Sequence, residues 1–231
     1  MKRIELIIFD VNQTMFSLKK IEKEFEKLGL NHLFCEIWFN SVLKEGFALN
    51  KINKFMSFKD IGISILTSIL LKNKIKNPEK ISKRILQNFN KLTPVDGLEK
   101  SLNMLNILDA KMTTLTNGNK FTTLKLLSNN NLNRFIEKTF SIDDVKSWKP
   151  SPDPYLMVTN HYKVKPENAL MIACHSWDLQ GAKNVGLQTG YIKSYEHGLS
   201  HSKSIPDYEG DNILELSENI ISIQQDPLIA T

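Results

Sequence analysis

An α/β fold, a mostly parallel sheet interrupted once by an all-helical insert, is what this 231-residue sequence predicts. Three observations carry the prediction. Short apolar runs rich in β-branched residues stop abruptly at polar or acidic residues, as strands buried on both faces do. Beyond Thr93-Pro94 these runs alternate with helical periodicity, the pattern of right-handed βαβ units. Between Ser17 and about Asn90 the periodicity is helical throughout.

The first strand is the run Ile4-Glu5-Leu6-Ile7-Ile8-Phe9, closed by Asp10. Ser17 is placed to cap a helix through Lys27, with Leu18, Ile21, Phe25 and Leu28 on one face and Lys and Glu on the other. Further helical patterns cover roughly 31–45, 58–72 and 78–90. A helix near 96–108 then leads to the strand Lys111-Met112-Thr113-Thr114-Leu115-Thr116 and a helix near 120–129. The proline-spaced segment from Lys149 to Pro154 reads as a structured turn into a helix, since a linker would be longer. Asn168 to Ala173 is another buried strand, followed by a helix from Asp178 to Val185 that Gly186 can terminate. Gln188 to Lys193 supplies a last strand. The expected architecture is a Rossmann-like parallel-sheet core, residues 1–15 and 94–231, with a helical cap inserted over 16–93.

Composition narrows the function. A content of 41% hydrophobic and 24% charged residues is ordinary for a soluble globular domain. The net charge of +5 comes mostly from lysine, the arginines being Arg3, Arg84 and Arg134. No cluster of basic residues with interleaved aromatics accompanies it, which argues against nucleic acid as a partner. Cys35 and Cys174 lie far apart and form no CxxC pair, so neither a zinc site nor a disulfide framework is expected. The opening apolar run is too short and too charged for a signal peptide, and no apolar span is long enough for a membrane helix. A cytoplasmic protein with no membrane contact is the expectation.

Ligands of an open parallel sheet bind outside the carboxyl ends of its strands. Four polar clusters fall there: Asp10, Thr116-Asn117-Gly118, Lys149 and Asp178. A lone acid at a strand end is commonly a turn former; four clusters on one edge make a site. Phe9-Asp10-Val11-Asn12-Gln13-Thr14 resembles the first motif of the haloacid dehalogenase (HAD) superfamily, whose leading aspartate is the nucleophile. Leu115-Thr116-Asn117-Gly118 resembles its second motif, Lys149-Pro150 its third, and Ala173-Cys174-His175-Ser176-Trp177-Asp178 its fourth. Order and spacing match along essentially the whole chain.

Departures from the motifs select the reaction class. Phosphatases of the superfamily carry a second aspartate, a general acid, two residues after the nucleophile; here that position is Asn12, which has no titratable proton. They also place an acid four residues before the last one of the fourth motif; here it is Cys174, and a thiol is a poor Mg²⁺ ligand. A halide leaves as a stable anion and needs neither. The chain therefore resembles the L-2-haloacid dehalogenase branch, including its KPxPxxY segment, Lys149 to Tyr155, and its Trp177-Asp178 pair.

The resemblance implies attack by Asp10 on C2 of a short 2-haloalkanoic acid, expulsion of halide, and hydrolysis of the aspartyl ester to a 2-hydroxy acid. Lys149 would pair with Asp10, and Asp178 would position Lys149 and help activate water. Thr14 and Asn117 would order the nucleophile and halide surroundings. Thr116, with the Asp10 loop through Val11 and Asn12, would hold the substrate carboxylate, and Phe58 and Trp177 would wall its alkyl group. Tyr155 is expected to line the site. The branch carries a cap arginine near Asn40 or Ser41; the cap here has only Arg84, which leaves that role vacant or passes it to Lys44. No cofactor or metal is expected, and the resemblance suggests a homodimer.

Other residues carry two readings. His175 reads equally as a structural residue and as a general base near water. His32, His161, His197 and His201 lack metal-ligand spacing and are expected at the surface. Trp38, Phe39, Phe47 and Phe55 are expected in the cap core, and Cys174 as inert packing behind a strand. Two rival functions remain: a Mg²⁺-dependent phosphatase on a small phosphorylated metabolite, and a non-catalytic binding protein on the same fold.

Overall fold

The computed structural model describes residues 2–196 and 205–225. Strand β1 (Leu6–Phe9) leads through the short β2 (Phe16–Ser17) into four helices: α1 (Lys19–Glu26), α2 (Leu33–Lys51), α3 (Phe58–Lys72) and α4 (Pro78–Gln87). Strand β3 (Thr93–Pro94) returns the chain to α5 (Leu98–Leu105), β4 (Lys111–Thr116), α6 (Lys120–Asn129), β5 (Lys138–Ser141) and α7 (Pro152–Tyr162). The order closes with β6 (Ala169–Ala173), α8 (Ser176–Asn184), β7 (Gln188–Ile192), β8 (Tyr208–Gly210) and α9 (Ile213–Gln224).

Six strands form one parallel sheet in the order β5-β4-β1-β6-β7-β8. Strand β1 sits between β4 and β6, with Phe9 in register with Thr114 on one side and Ile172 on the other. Its alternating side chains feed two cores. Ile7 and Phe9 pack with Leu102, Leu126 and Leu216 of α5, α6 and α9, while Leu6 and Ile8 pack with Val158 and Leu179 of α7 and α8. Burial of such side chains is worth about 1.5–3 kcal/mol each, so the short apolar β1 anchors both layers. Asp10 follows at the carboxyl edge, its N–H donating to the Ile172 carbonyl at 3.0 Å.

The inserted segment is helical, as expected, and is rooted in an antiparallel ribbon that pairs Phe16 with Pro94 and Ser17 with Thr93. That ribbon corrects one expectation. Ser17 does not cap the first helix; it lies in β2, the cap position falls on Leu18, and the Ser17 hydroxyl accepts only the Lys19 N–H at 3.2 Å. Helix α2 runs past its expected end, through Gly46 to Lys51. A Cβ on Gly46 would sit 2.5–2.6 Å from the Trp148 ring, so the glycine lets the helix press against the core. Trp148 also donates from Nε1 to the Met56 carbonyl at 3.0 Å, and its N–H donates to Asn50 Oδ1 at 2.9 Å.

Gly186 ends α8 as expected. At φ +90° it sends its N–H to the Lys183 carbonyl, and Leu187 reaches back to Ala182, the pattern of a Schellman cap. Strands β5 and β8 and helix α9 are additions to the expected order. His32 and His161 are exposed, whereas His197 and His201 lie outside the described residues. No helix among the described residues is long and apolar enough to cross a membrane.

Candidate active site

The carboxyl edge of the sheet collects the polar clusters. Lys149, on the turn before α7, is fully buried, and its Nζ donates to Asp10 Oδ1 at 2.9 Å, Asp178 Oδ2 at 2.6 Å and the Leu115 carbonyl at 3.0 Å. Three acceptors match the three protons of an ammonium group. Asn117 fixes the turn that carries it, accepting the Lys149 N–H on Oδ1 at 3.0 Å.

Asp10 is held from its other side as well. Thr14 donates to Oδ2 at 2.7 Å, and His175 Nδ1 stands 3.5 Å from the same oxygen. Burial would raise the Asp10 carboxyl, but Lys149 and His175 outweigh it and hold Asp10 well below the usual carboxylate range. Burial likewise works against the Lys149 ammonium, and the charges of Asp10 and Asp178 reverse it, leaving Lys149 raised. Asp178 is pushed upward, chiefly by burial, against the pull of Lys149 and Tyr155 and with the nearby Asp10 charge adding to the push.

His175 lies two residues beyond β6, at the N-cap position of α8. Its Nε2 lies 2.9 Å from Gln13 Oε1, and its ring stacks between Phe39 and Trp177, with centroids 6.0 and 5.4 Å away. Burial would lower its pKa, but the Cys174 and Asp10 contacts outweigh that and push it up to about 10.

Asp10, Asn12, Asn117 and His175 border a tight cavity of about 10 Å³, closed by Phe39, Leu43, Phe58 and Trp177. That is room for about one water molecule beside the carboxylate. A larger cleft between α3, α4 and α6 meets it at Asn12 and Phe58 and is floored by Val11 and Thr116. The Thr116 hydroxyl is engaged there by the Gly118 N–H at 2.8 Å.

Two sequence-predicted site residues stand elsewhere. Asn40 is exposed and lines, with Lys44, an outer cleft that meets the cavity at Leu43, His175 and Trp177, but it does not itself border the cavity. The neighbouring Phe39 and, one turn on, Leu43 take the cavity wall instead. Tyr155 is fully buried behind Asp178 rather than on the wall, and its hydroxyl donates to Asp178 Oδ1 at 2.6 Å. A buried phenol needs a partner, and the carboxylate is the one it finds. Arg84, the cap arginine, is exposed and reaches Glu24 at 3.7 Å, away from the cavity. Gln13 was not anticipated as a neighbour of His175.

A parallel sheet whose central strand leads into a buried carboxylate–ammonium pair beneath a helical cap defines the class, a capped Rossmann-like α/β protein with an acidic site at the strand ends. The chain belongs to the haloacid dehalogenase-like hydrolases, whose family model matches residues 7–192. It is similar to haloacetate dehalogenase H-2 of Moraxella sp. (strain B), 23% identical over 210 residues covering 90% of this chain and 94% of that one. The fold matches the L-2-haloacid dehalogenase structure from Xanthobacter autotrophicus at TM-score 0.85 and 20% identity, over 95% of this chain and 99% of that one. It also matches the magnesium-bound putative HAD-hydrolase YfnB of Bacillus subtilis at TM-score 0.74 and 19% identity, over 97% and 100% of the two chains.

Proposed function

We propose that this hydrolase cleaves the carbon–halogen bond of a short 2-haloalkanoic acid, with Asp10 as the nucleophile. The observation that carries the reading is the state of Asp10, a buried carboxylate kept ionised by Lys149 at 2.9 Å and oriented by Thr14 at 2.7 Å. An Asp10 oxygen displaces halide at C2 in line, giving an ester; water then attacks the Asp10 carboxyl carbon and releases the 2-hydroxy acid with C2 inverted. Asp178 positions Lys149, and Asn117 steadies the turn that bears it. Asn12, Thr116 and the backbone after Val11 face the substrate carboxylate, and Phe58 and Trp177 wall its alkyl group.

The donor set does not fit Mg²⁺. Asp10 Oδ1 is taken by Lys149 and Oδ2 faces Thr14 and His175, and both Asp178 oxygens are hydrogen-bonded. The position four residues before Asp178 offers the thiol of Cys174, whereas Mg²⁺ requires hard oxygen donors in octahedral array. With Asn12 two residues beyond Asp10 no acid stands ready for a leaving alcohol, which weighs against phosphoryl transfer.

The test is halide release from chloro-, bromo- and fluoroacetate with and without chelator, followed by single turnover in ¹⁸O water. Label entering the Asp10 side chain supports the reading. Label found only in the product, or chelator-sensitive hydrolysis of an aryl phosphate without halide release, overturns it.

A further inference from the structure

We propose that His175 is the general base of the ester-hydrolysis half of this reaction and becomes available for that task only once Asp10 has been alkylated. This rests on the reading of Asp10 as nucleophile.

Asp178 is poorly placed to take a proton from water. Its side chain is fully buried and off the cavity wall, with Oδ2 held by Lys149 and Oδ1 by Tyr155, both at 2.6 Å. His175 borders the cavity together with Asp10, and its Nδ1 lies 3.5 Å from the carboxyl that water must attack. The ring cannot swing away, being stacked between Phe39 and Trp177 with the edge of Tyr195 against it at 5.2 Å. Its outer side borders the cleft that contains Lys44 and Glu196, a route for a proton to solvent.

The timing follows from charge. In the resting site both ring nitrogens face acceptors, Asp10 Oδ2 and Gln13 Oε1. An imidazolium satisfies both, and it cannot act as a base. Alkylation converts Asp10 to a neutral ester. The other titratable or charged groups around the ring are Cys174 at the end of β6, Glu36 and Lys44 on α2, and Tyr195 and Glu196 after β7. Alkylation alters none of these, so the ring loses only the charge of Asp10. The pull of Cys174 toward the charged form remains, but with the contact and charge of Asp10 gone less is set against burial, and the balance moves toward the neutral ring.

The steps balance. On ester formation the imidazolium gives its proton to solvent through the outer cleft. Neutral Nδ1 takes a proton from water as the oxygen bonds to the Asp10 carboxyl carbon. The tetrahedral adduct then breaks its bond to the substrate oxygen, which leaves as the hydroxy acid with the proton that His175 returns. The Asp10 carboxyl passes its own proton to His175, restoring the resting pair.

Rapid-quench turnover of bromoacetate, read as bromide released and as intact-protein mass, tests this in the wild type and in His175→Gln. In the variant one equivalent of bromide should appear in a burst and a carboxymethyl ester should accumulate on Asp10, its hydrolysis slowed about 100-fold. In the wild type the hydrolysis rate should rise with pH to a plateau while the bromide burst stays flat. That arm stands even if the variant fails to fold. Bromide release with no ester build-up in a folded variant, a lost burst in a folded variant, or a pH-independent hydrolysis step overturns the role of His175 and leaves Asp10 as nucleophile. A wild type that releases no bromide sinks the nucleophile reading itself.

Discussion

The Tyr155 hydroxyl donates to Asp178 Oδ1 at 2.6 Å and lies 3.0 Å from the Asp178 carbonyl, so one phenol holds both the side chain and the backbone of the acid behind Lys149. Asp10 is thus supported in depth, held by Lys149, Lys149 by Asp178 and Asp178 by Tyr155. The outermost member of that chain has no contact with the cavity, so its effect on activity passes through the others.

Tyr155→Phe keeps the ring and removes the donor. Asp178 Oδ1 is then buried with one partner fewer, a loss of about 1–3 kcal/mol. Losing a bond that lowers the Asp178 pKa also raises that pKa further, which weakens its hold on Lys149. The expected outcome is a lower urea midpoint together with slower halide release. A variant as stable and as active as the wild type would show that the hydroxyl is idle.

Gly181→Ala sets two effects against each other. Alanine favours a helix over glycine by about 1 kcal/mol. Here, however, the added Cβ would lie 2.6 Å from Tyr155 Oη and 2.7 Å from the Pro150 carbonyl, part of the backbone beside Lys149. Overpacking of this kind costs about 1–3 kcal/mol, and the clash wins. The variant should melt below the wild type, and the loss should shrink in a Tyr155→Phe background, where the hydroxyl is gone. Calorimetry of the two singles and the double checks both statements.

Lys149→Met strands two buried carboxylates. Removing one partner of a buried ion pair costs about 3–5 kcal/mol, and halide release should vanish because Asp10 loses the charge that keeps it ionised. The sign with pH follows from Asp10. Its folded pKa lies below the unfolded value of 3.8, so its contribution is present above that value and is lost as pH falls through the folded one. The stability gap between wild type and variant should therefore narrow in acid. Denaturation curves from neutral pH downward measure it, and a constant gap contradicts the pairing.

How legible all this was in the sequence depends on distance along the chain. Strand β1 was plain because an apolar run stops dead at an acid, and β4 and α6 fall at their expected bounds. Strands β5 and β8 were not: they span four and three residues at the sheet margins, too short for a period to register. Helix α9 carries a helical signal in the spacing of Ile213, Leu216 and Ile220. The Asp10–Lys149–Asp178 chain was readable because each member holds a fixed place in its own motif. The pairing of Gln13 with His175 was not, since the two lie 162 residues apart and neither marks the other. Asn40 shows a different limit. Resemblance carries a position along α2 but not the helix's rotation, and one residue turns a side chain by about 100°, which gives the cavity to Phe39.

His175, held charged by Cys174 and Asp10, also sets a stability signature above neutral pH. The folded ring titrates at about 10 against an unfolded value of 6.5. A group raised on folding contributes fully below its unfolded pKa and loses that contribution as pH climbs through the folded one. The relevant window is therefore pH 6.5 to about 10. Across it, wild-type unfolding free energy should fall relative to His175→Gln, which has no imidazole to titrate, and the two curves should draw together toward the alkaline end. Urea titrations of both proteins through that window provide the measurement. Parallel curves would mean that the imidazole is not held charged against Asp10, and the resting pair from which ester formation releases His175 would not exist.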